Sequence, residues 1–148
     1  MATIPIASDH AGFALKQELI AELGKLGHTA LDLGPADTSS VDYPDYAVKV
    51  TDAVAGGKAS LGVLICGTGM GMAITANKVH GIRAALCRTE FEARMSRQHN
   101  DANVLCLGQR VTGAGLAIEI LKAFLGASFE GGRHATRVDK IKAVEAKR

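Results

Sequence analysis

Short apolar runs alternate with longer stretches of helical period along this chain. The runs are Ile4–Ser8, Ala30–Leu33, Leu61–Cys66, Arg83–Cys87 and Val104–Leu107, each the length of a buried strand. Helical spacing is found over Gly12–Leu26, Asp45–Val54, Met70–Val79, Thr89–Gln98 and Ala114–Leu125. In the first of these, Phe13, Leu15, Leu19, Ile20, Leu23 and Leu26 form one apolar stripe, and Gly27-His28 marks its stop. Strands alternating with helices of this length imply βαβ units, a parallel sheet and helices on both faces. Right-handed crossovers then predict a three-layer αβα sandwich around a doubly wound, five-stranded parallel sheet. This is a Rossmann- or flavodoxin-like arrangement with strand order 2-1-3-4-5. One long polar loop, Gly34–Pro44, interrupts the alternation. After Gly126 comes "ASFEGGRHATRVDKIKAVEAKR", a glycine hinge and a basic terminal helix with no strand of its own. Such a helix is well placed to reach a neighbouring subunit. With no internal repeat and no linker, residues 1–148 read as a single domain.

Composition narrows the function classes. The net charge of +2 gives no electrostatic reason to expect a nucleic-acid or membrane partner. No apolar stretch approaches a membrane span, and no signal-peptide pattern opens the chain, so a cytoplasmic protein is expected. Three cysteines, none in a C-x-x-C pair, point to free thiols in a reducing compartment and argue against structural zinc. The absence of tryptophan leaves little to sandwich a flavin or stack unpaired bases.

In a sheet of the expected order, ligands sit beyond the carboxyl ends of the strands where the order reverses, between the first and third. Those ends carry "SDHAG" (Ser8–Gly12) and "CGTGMG" (Cys66–Gly71). The glycine loop can aim backbone N–H groups at an anion. It is a poor dinucleotide fingerprint: its spacing is G-x-G-x-G, it follows the third strand, and it lacks the P-loop lysine. It can equally be a structural turn. Cys66 stands where the following helix N-terminus would lower its thiol pKa, making it a candidate base or nucleophile. Cys87 and Cys106 read as small buried hydrophobes. Asp9 is either a helix cap or, with His10, a polar pair facing the crevice. His99, Asn100 and Asp101 end the fourth helix, which is a stop signal unless they are functional. Arg133 and Arg137 share one face of the last helix with no acid three or four residues away on it. They are a solvated pair or a phosphate grip.

Together these segments resemble the ribose-5-phosphate isomerase B family, which is close to the galactose-6-phosphate isomerase subunits. The resemblance rests on "SDHAGFALK", "DYPDYA", "ICGTGMGMAITANK", "GIRAALC", "SRQHNDANVLCLG" and "FEGGRH", in register over essentially the whole chain. It implies aldose–ketose isomerisation of a small phosphorylated sugar, with no cofactor and no metal. The implied substrates are ribose 5-phosphate and ribulose 5-phosphate of the pentose phosphate pathway. The alternatives are a six-carbon sugar phosphate (allose 6-phosphate or galactose 6-phosphate) or a non-catalytic phosphosugar sensor.

The resemblance also implies residue roles. Cys66 is the base, and the backbone of Gly67, Thr68, Gly69, Met70 and Gly71, with the Thr68 hydroxyl, stabilises an enediolate. Asp9, His10 and His99 contact or protonate sugar oxygens, His99 being the acid that opens the ring. Asn100 contacts the sugar, Tyr43 lines the pocket, and Arg133 and Arg137 hold the phosphate with Arg110 as helper. A second branch of the family replaces the cysteine and uses a glutamate further along the loop. Here that place is Met72, so the cysteine branch is implied. So is a homodimer, or a dimer of dimers, with sites shared between subunits. "FEGG" in place of the usual "YEGG" removes one hydroxyl and nothing catalytic.

Overall fold

The first strand, β1 (Thr3–Ser8), is buried at every position after Thr3, and it forms the middle of the sheet with β3 (Gly62–Cys66), buried throughout. The computed structural model describes all 148 residues. β1 pairs in parallel with β2 (Thr29–Asp32) on one side and with β3 on the other. β3 pairs with β5 (Val104–Gly108), in register from Gly62 opposite Val104 to Cys66 opposite Gly108. β4 (Ala84–Leu86) pairs only with β5. The order is therefore β2-β1-β3-β5-β4, and the expected 2-1-3-4-5 is corrected in its last two places. Burial explains the exchange. All five residues of β5 are buried, whereas β4 has three residues, each half-buried, as suits an edge.

The corrected order decides where the helices lie. α3 (Met70–Ala76) carries the chain from β3 past one vacant position to β4, and α4 (Glu90–Gln98) brings it back to insert β5. Two right-handed crossovers in opposite directions put α3 and α4 on opposite faces. α1 (Phe13–Lys25) and α5 (Ala114–Gly126) share α4's face, around a core that includes Leu15, Leu19, Leu23, Leu105, Ile120 and Phe124. α2 (Tyr43–Ala55) packs with α3 over Val50, Val54, Leu64, Met72 and Cys106. No helix is long and apolar enough to cross a membrane.

Lys16 is the one charged side chain with no exposure at all. Its ammonium reaches Asp32 Oδ1 at 2.8 Å and the Pro35 carbonyl at 2.6 Å. It thereby fastens the start of the 34–44 loop to α1, and the Ser8 N–H to Gly34 carbonyl bond (3.0 Å) ties the same loop to β1. Lys16→Met keeps the stem but leaves the Pro35 carbonyl without its donor. Because the Asp32 side chain is 40% exposed, the ion pair itself is screened. Chemical denaturation should show a loss of about 1–3 kcal/mol; a loss below about 0.5 kcal/mol would mean that Lys16 fastens nothing.

The terminal helix α6 (Arg133–Glu145) forms as expected. It turns His134 and Val138 inward and lies against its own chain. Its end is pinned where Glu145 Oε2 accepts the Gly81 N–H at 3.1 Å and Arg148 donates to the Asn77 carbonyl at 3.4 Å.

Candidate active site

At the carboxyl end of β3 the chain turns sharply, and the turn sets a backbone donor on one sulfur. Cys66 is buried, and its Sγ accepts the Gly69 N–H at 3.1 Å. Gly69 has φ 81°, and a Cβ there would sit 2.9 Å from the Leu107 backbone, so only glycine permits this bend. The N–H groups of Gly67 and Thr68 have no partner within the chain. The Thr68 hydroxyl accepts the Met70 N–H at 3.2 Å. The result is a loop with donors to spare beside a thiol.

The neighbouring strand ends close in on this loop. Asp9 follows β1, and its Oδ1 accepts the Gly12 N–H at 3.1 Å, so the capping reading of this residue holds. Its other oxygen makes no hydrogen bond within the chain. His10 Nδ1 accepts the Val41 N–H at 3.1 Å, which leaves a neutral ring's proton on Nε2. The Tyr43 ring lies over Gly71, joining the start of α2 to the glycine loop. The Arg110 N–H donates to the Gly67 carbonyl at 3.0 Å, and its side chain lies over Gly67. Asp9, His10, Tyr43, Cys66, the loop to Gly71 and Arg110 thus gather at one edge of the sheet. Met72 is fully buried, so no proton acceptor stands at that point of the loop.

The other expected site residues lie at the opposite edge. His99 ends α4, which runs toward the start of β5; all strands are parallel, so His99 and Asn100 sit at their amino ends. The length of β5, roughly 13 Å at 3.3 Å per residue, separates them from Cys66. Arg133 and Arg137, both exposed, project from the first turns of α6 beside them. His134 stacks on His99 with ring centroids 4.0 Å apart and planes at 9°. One chain therefore brings Asp9 and His10 to Cys66 but not His99, Asn100, Arg133 or Arg137.

Several contacts at this second edge escaped the sequence reading. Asp101 has φ 47°, a left-handed backbone that asparagine and aspartate tolerate better than most residues. Arg83 donates to the Asp101 carbonyl at 2.8 Å and to the Asn100 carbonyl at 3.0 Å. Arg97 meets Asp101 Oδ1 at 3.1 Å and donates to the Ala102 carbonyl at 2.6 Å. Together they hold the His99–Asp101 turn. Glu130 Oε1 lies 3.5 Å from His99 Nε2 and 3.6 Å from His134 Nε2. These three residues form a group of metal-ligand types, their ligand atoms within 4.8 Å of one another, a cluster that no ligand spacing along the sequence announces. The in-plane lone pairs of near-parallel rings stay in planes that do not converge on one point, a poor cage for an ion. Burial, then the charges of His99 and Arg133, hold the His134 pKa below its ordinary value.

The remaining cysteines behave as small hydrophobes. Burial pushes the Cys87 thiol up to about 11, and it raises Cys106, which has no exposure, further still.

An open parallel sheet with a thiol and a free-donor loop at its switch point defines an α/β protein with a candidate ligand crevice at the carboxyl ends of its strands. More specifically, the chain belongs to the ribose/galactose isomerase family, whose model matches residues 4–141. It is 50% identical over 148 residues to ribose-5-phosphate isomerase B of Escherichia coli (strain K12), covering 100% of this chain and 99% of the relative. A structure of ribose-5-phosphate isomerase B from Clostridium thermocellum superposes with a TM-score of 0.96 at 53% identity, covering 98% of each chain. The Mycoplasma genitalium ribose-5-phosphate isomerase B, solved with bound ribulose-5-phosphate, gives 0.93 at 45% identity, covering 99% of this chain and 97% of that one.

Proposed function

We propose that this chain is an aldose–ketose isomerase interconverting ribose 5-phosphate and ribulose 5-phosphate, with Cys66 as the base. The observation that carries this reading is the Cys66 sulfur receiving the Gly69 N–H beside the unpartnered N–H groups of Gly67 and Thr68. In the forward direction the Cys66 thiolate removes the proton from C2 of the open aldehyde. The C–H electron pair becomes the C1–C2 double bond, and the carbonyl pair moves onto O1. The loop N–H groups and the Thr68 hydroxyl, with its hydrogen turned outward, meet that developing charge. Asp9, through its free oxygen, passes the O2 proton to O1, the thiol returns its proton to C1, and O2 becomes the ketone. His10 donates from Nε2 to a sugar hydroxyl, and Tyr43 walls the pocket.

The separation of the two edges supports a site completed by a second copy of the chain. One subunit supplies Cys66, Asp9, His10, Tyr43, the glycine loop and Arg110. The other supplies His99 for ring opening, Asn100 toward the sugar, and Arg133 and Arg137 for the phosphate. Met70 and Ile74, on the outer face of α3 next to the loop, are 56% and 63% exposed. Apolar surface of that size beside a catalytic loop suits a homodimer contact.

A substrate panel tests the assignment. The kcat/KM for ribose 5-phosphate should exceed those for allose 6-phosphate and galactose 6-phosphate; a six-carbon sugar in first place would overturn the ribose assignment, and no turnover of any sugar would overturn the enzyme. The reaction needs no metal, because the loop donors supply the charge stabilisation a Lewis acid would give. Exhaustive chelation should leave the rate unchanged. Loss of activity that a divalent ion restores would assign the His99–Glu130–His134 group a metal after all.

A further inference from the structure

We propose that Glu130 is a positioning residue that holds His99 as the proton donor for sugar ring opening. The inference rests on the isomerase reading above and assigns a role to a residue outside the expected site. Three observations carry it. Glu130 is the one carboxylate among His99, His134, Arg133 and Arg137, the charged and titratable groups that surround His134. Its Oε1 faces Nε2 of His99 at 3.5 Å, while Nδ1 of His99 makes no hydrogen bond within the chain and is free to meet a sugar oxygen. The chain is also bent to make this contact. The Glu130 N–H donates to the Gln98 carbonyl at 3.0 Å, next to His99, and Gly131 and Gly132 then turn with φ 68° and 57°. That turn starts α6 so that His134 stacks on His99.

The two rings stack, but their surroundings differ. His134 is the more enclosed, with its side chain 10% exposed against 38% for His99. Burial disfavours the charged form, which agrees with the lowered pKa of His134. His99 is therefore the ring placed to give a proton to a sugar oxygen from Nδ1, with Glu130 against its Nε2 and His134 as a flat backstop. In ring opening the C1–O4 bond breaks with its electron pair left on O4. O4 takes the proton from His99 Nδ1, and the C1 hydroxyl loses its proton to water as the C1 carbonyl forms. His99 recovers a proton from solvent, so the step is neutral overall.

Ring opening can be separated from isomerisation by the substrate. A 4-deoxy analogue of ribose 5-phosphate has no C4 hydroxyl, and its C5 oxygen is phosphorylated, so it stays an open aldehyde. Glu130→Gln preserves shape and removes the charge at a half-exposed position, where folding is not at risk. With ribose 5-phosphate, Glu130→Gln should lower kcat/KM by about 10- to 100-fold, part of what a general acid supplies. With the 4-deoxy analogue it should match the wild type within about twofold. Equal losses on both substrates would assign Glu130 to the arginines or to packing and overturn the proposal, as would no loss on either. Wild-type turnover of ribose 5-phosphate, measured alongside, tests the isomerase reading separately: if that is absent, the reading beneath the proposal has failed rather than the role of Glu130.

Discussion

Replacing Cys66 with alanine should lower kcat by two to four powers of ten, about what a general base contributes, while a non-reacting phosphosugar analogue binds as before. A base acts only in the chemical step, so losing it removes transition-state stabilisation and little ground-state binding. Neither other thiol can take over. Cys106 is wholly enclosed, and Cys87, with its thiol near 11, lies on the other face of the sheet among the residues packed by α1, α4 and α5. Cys87→Ala and Cys106→Ala should be nearly silent in kcat. A Cys66→Ala protein that kept more than about a tenth of wild-type kcat would have a different base, since a catalytic base is worth far more than that.

The second large effect is expected at Arg137. Were it a solvated residue on an exposed helix face, alanine would change stability by less than about 0.5 kcal/mol and leave kinetics alone. As a phosphate ligand it offers a fork of donors to a dianion, and a hydrogen bond to a charged group is worth about 1.5–3 kcal/mol. Arg137→Ala should then lower kcat/KM by about 10- to 100-fold, most of it in KM. A further fall in kcat is expected where phosphate binding also aligns C1 and C2 with the sulfur. Lysine should restore only part, because a point charge cannot reproduce the fork. Unchanged kinetics in Arg137→Ala would return the arginine to the solvent.

Much of this architecture was legible in the chain because buried strands and amphipathic helices leave different periods. All five strand runs became strands, each within a residue or so of its expected ends, and the switch point between β1 and β3 holds. The exchange of β4 and β5 was not legible. "VLCLG" is the more apolar of the two, but both it and "RAALC" pass as short strands, and it is tertiary burial that shows "VLCLG" to be enclosed on both faces. At the site, the glycine spacing revealed the loop around Cys66, but the donor on its sulfur depends on the left-handed turn at Gly69. The distance from His99 to Cys66 follows from topology rather than from any motif: a helix between parallel strands must end at their amino edge. Glu130 was hidden for another reason. Two glycines separate it from α6, and in sequence they look like a break, whereas their positive φ values fold the chain back onto His99.

The division of the site between two chains is the central claim, and mixing two inactive proteins tests it most directly. Cys66→Ala and Arg137→Ala chains are denatured together, refolded, and checked for mixed dimers. If each site takes Cys66 from one subunit and Arg137 from the other, a mixed dimer holds one site with both lesions and one with neither. Random pairing should then return activity to about a quarter of the wild-type level in a two-fold symmetric dimer. If mixed dimers form and no activity returns, each chain uses its own arginine, and the shared site described here is contradicted.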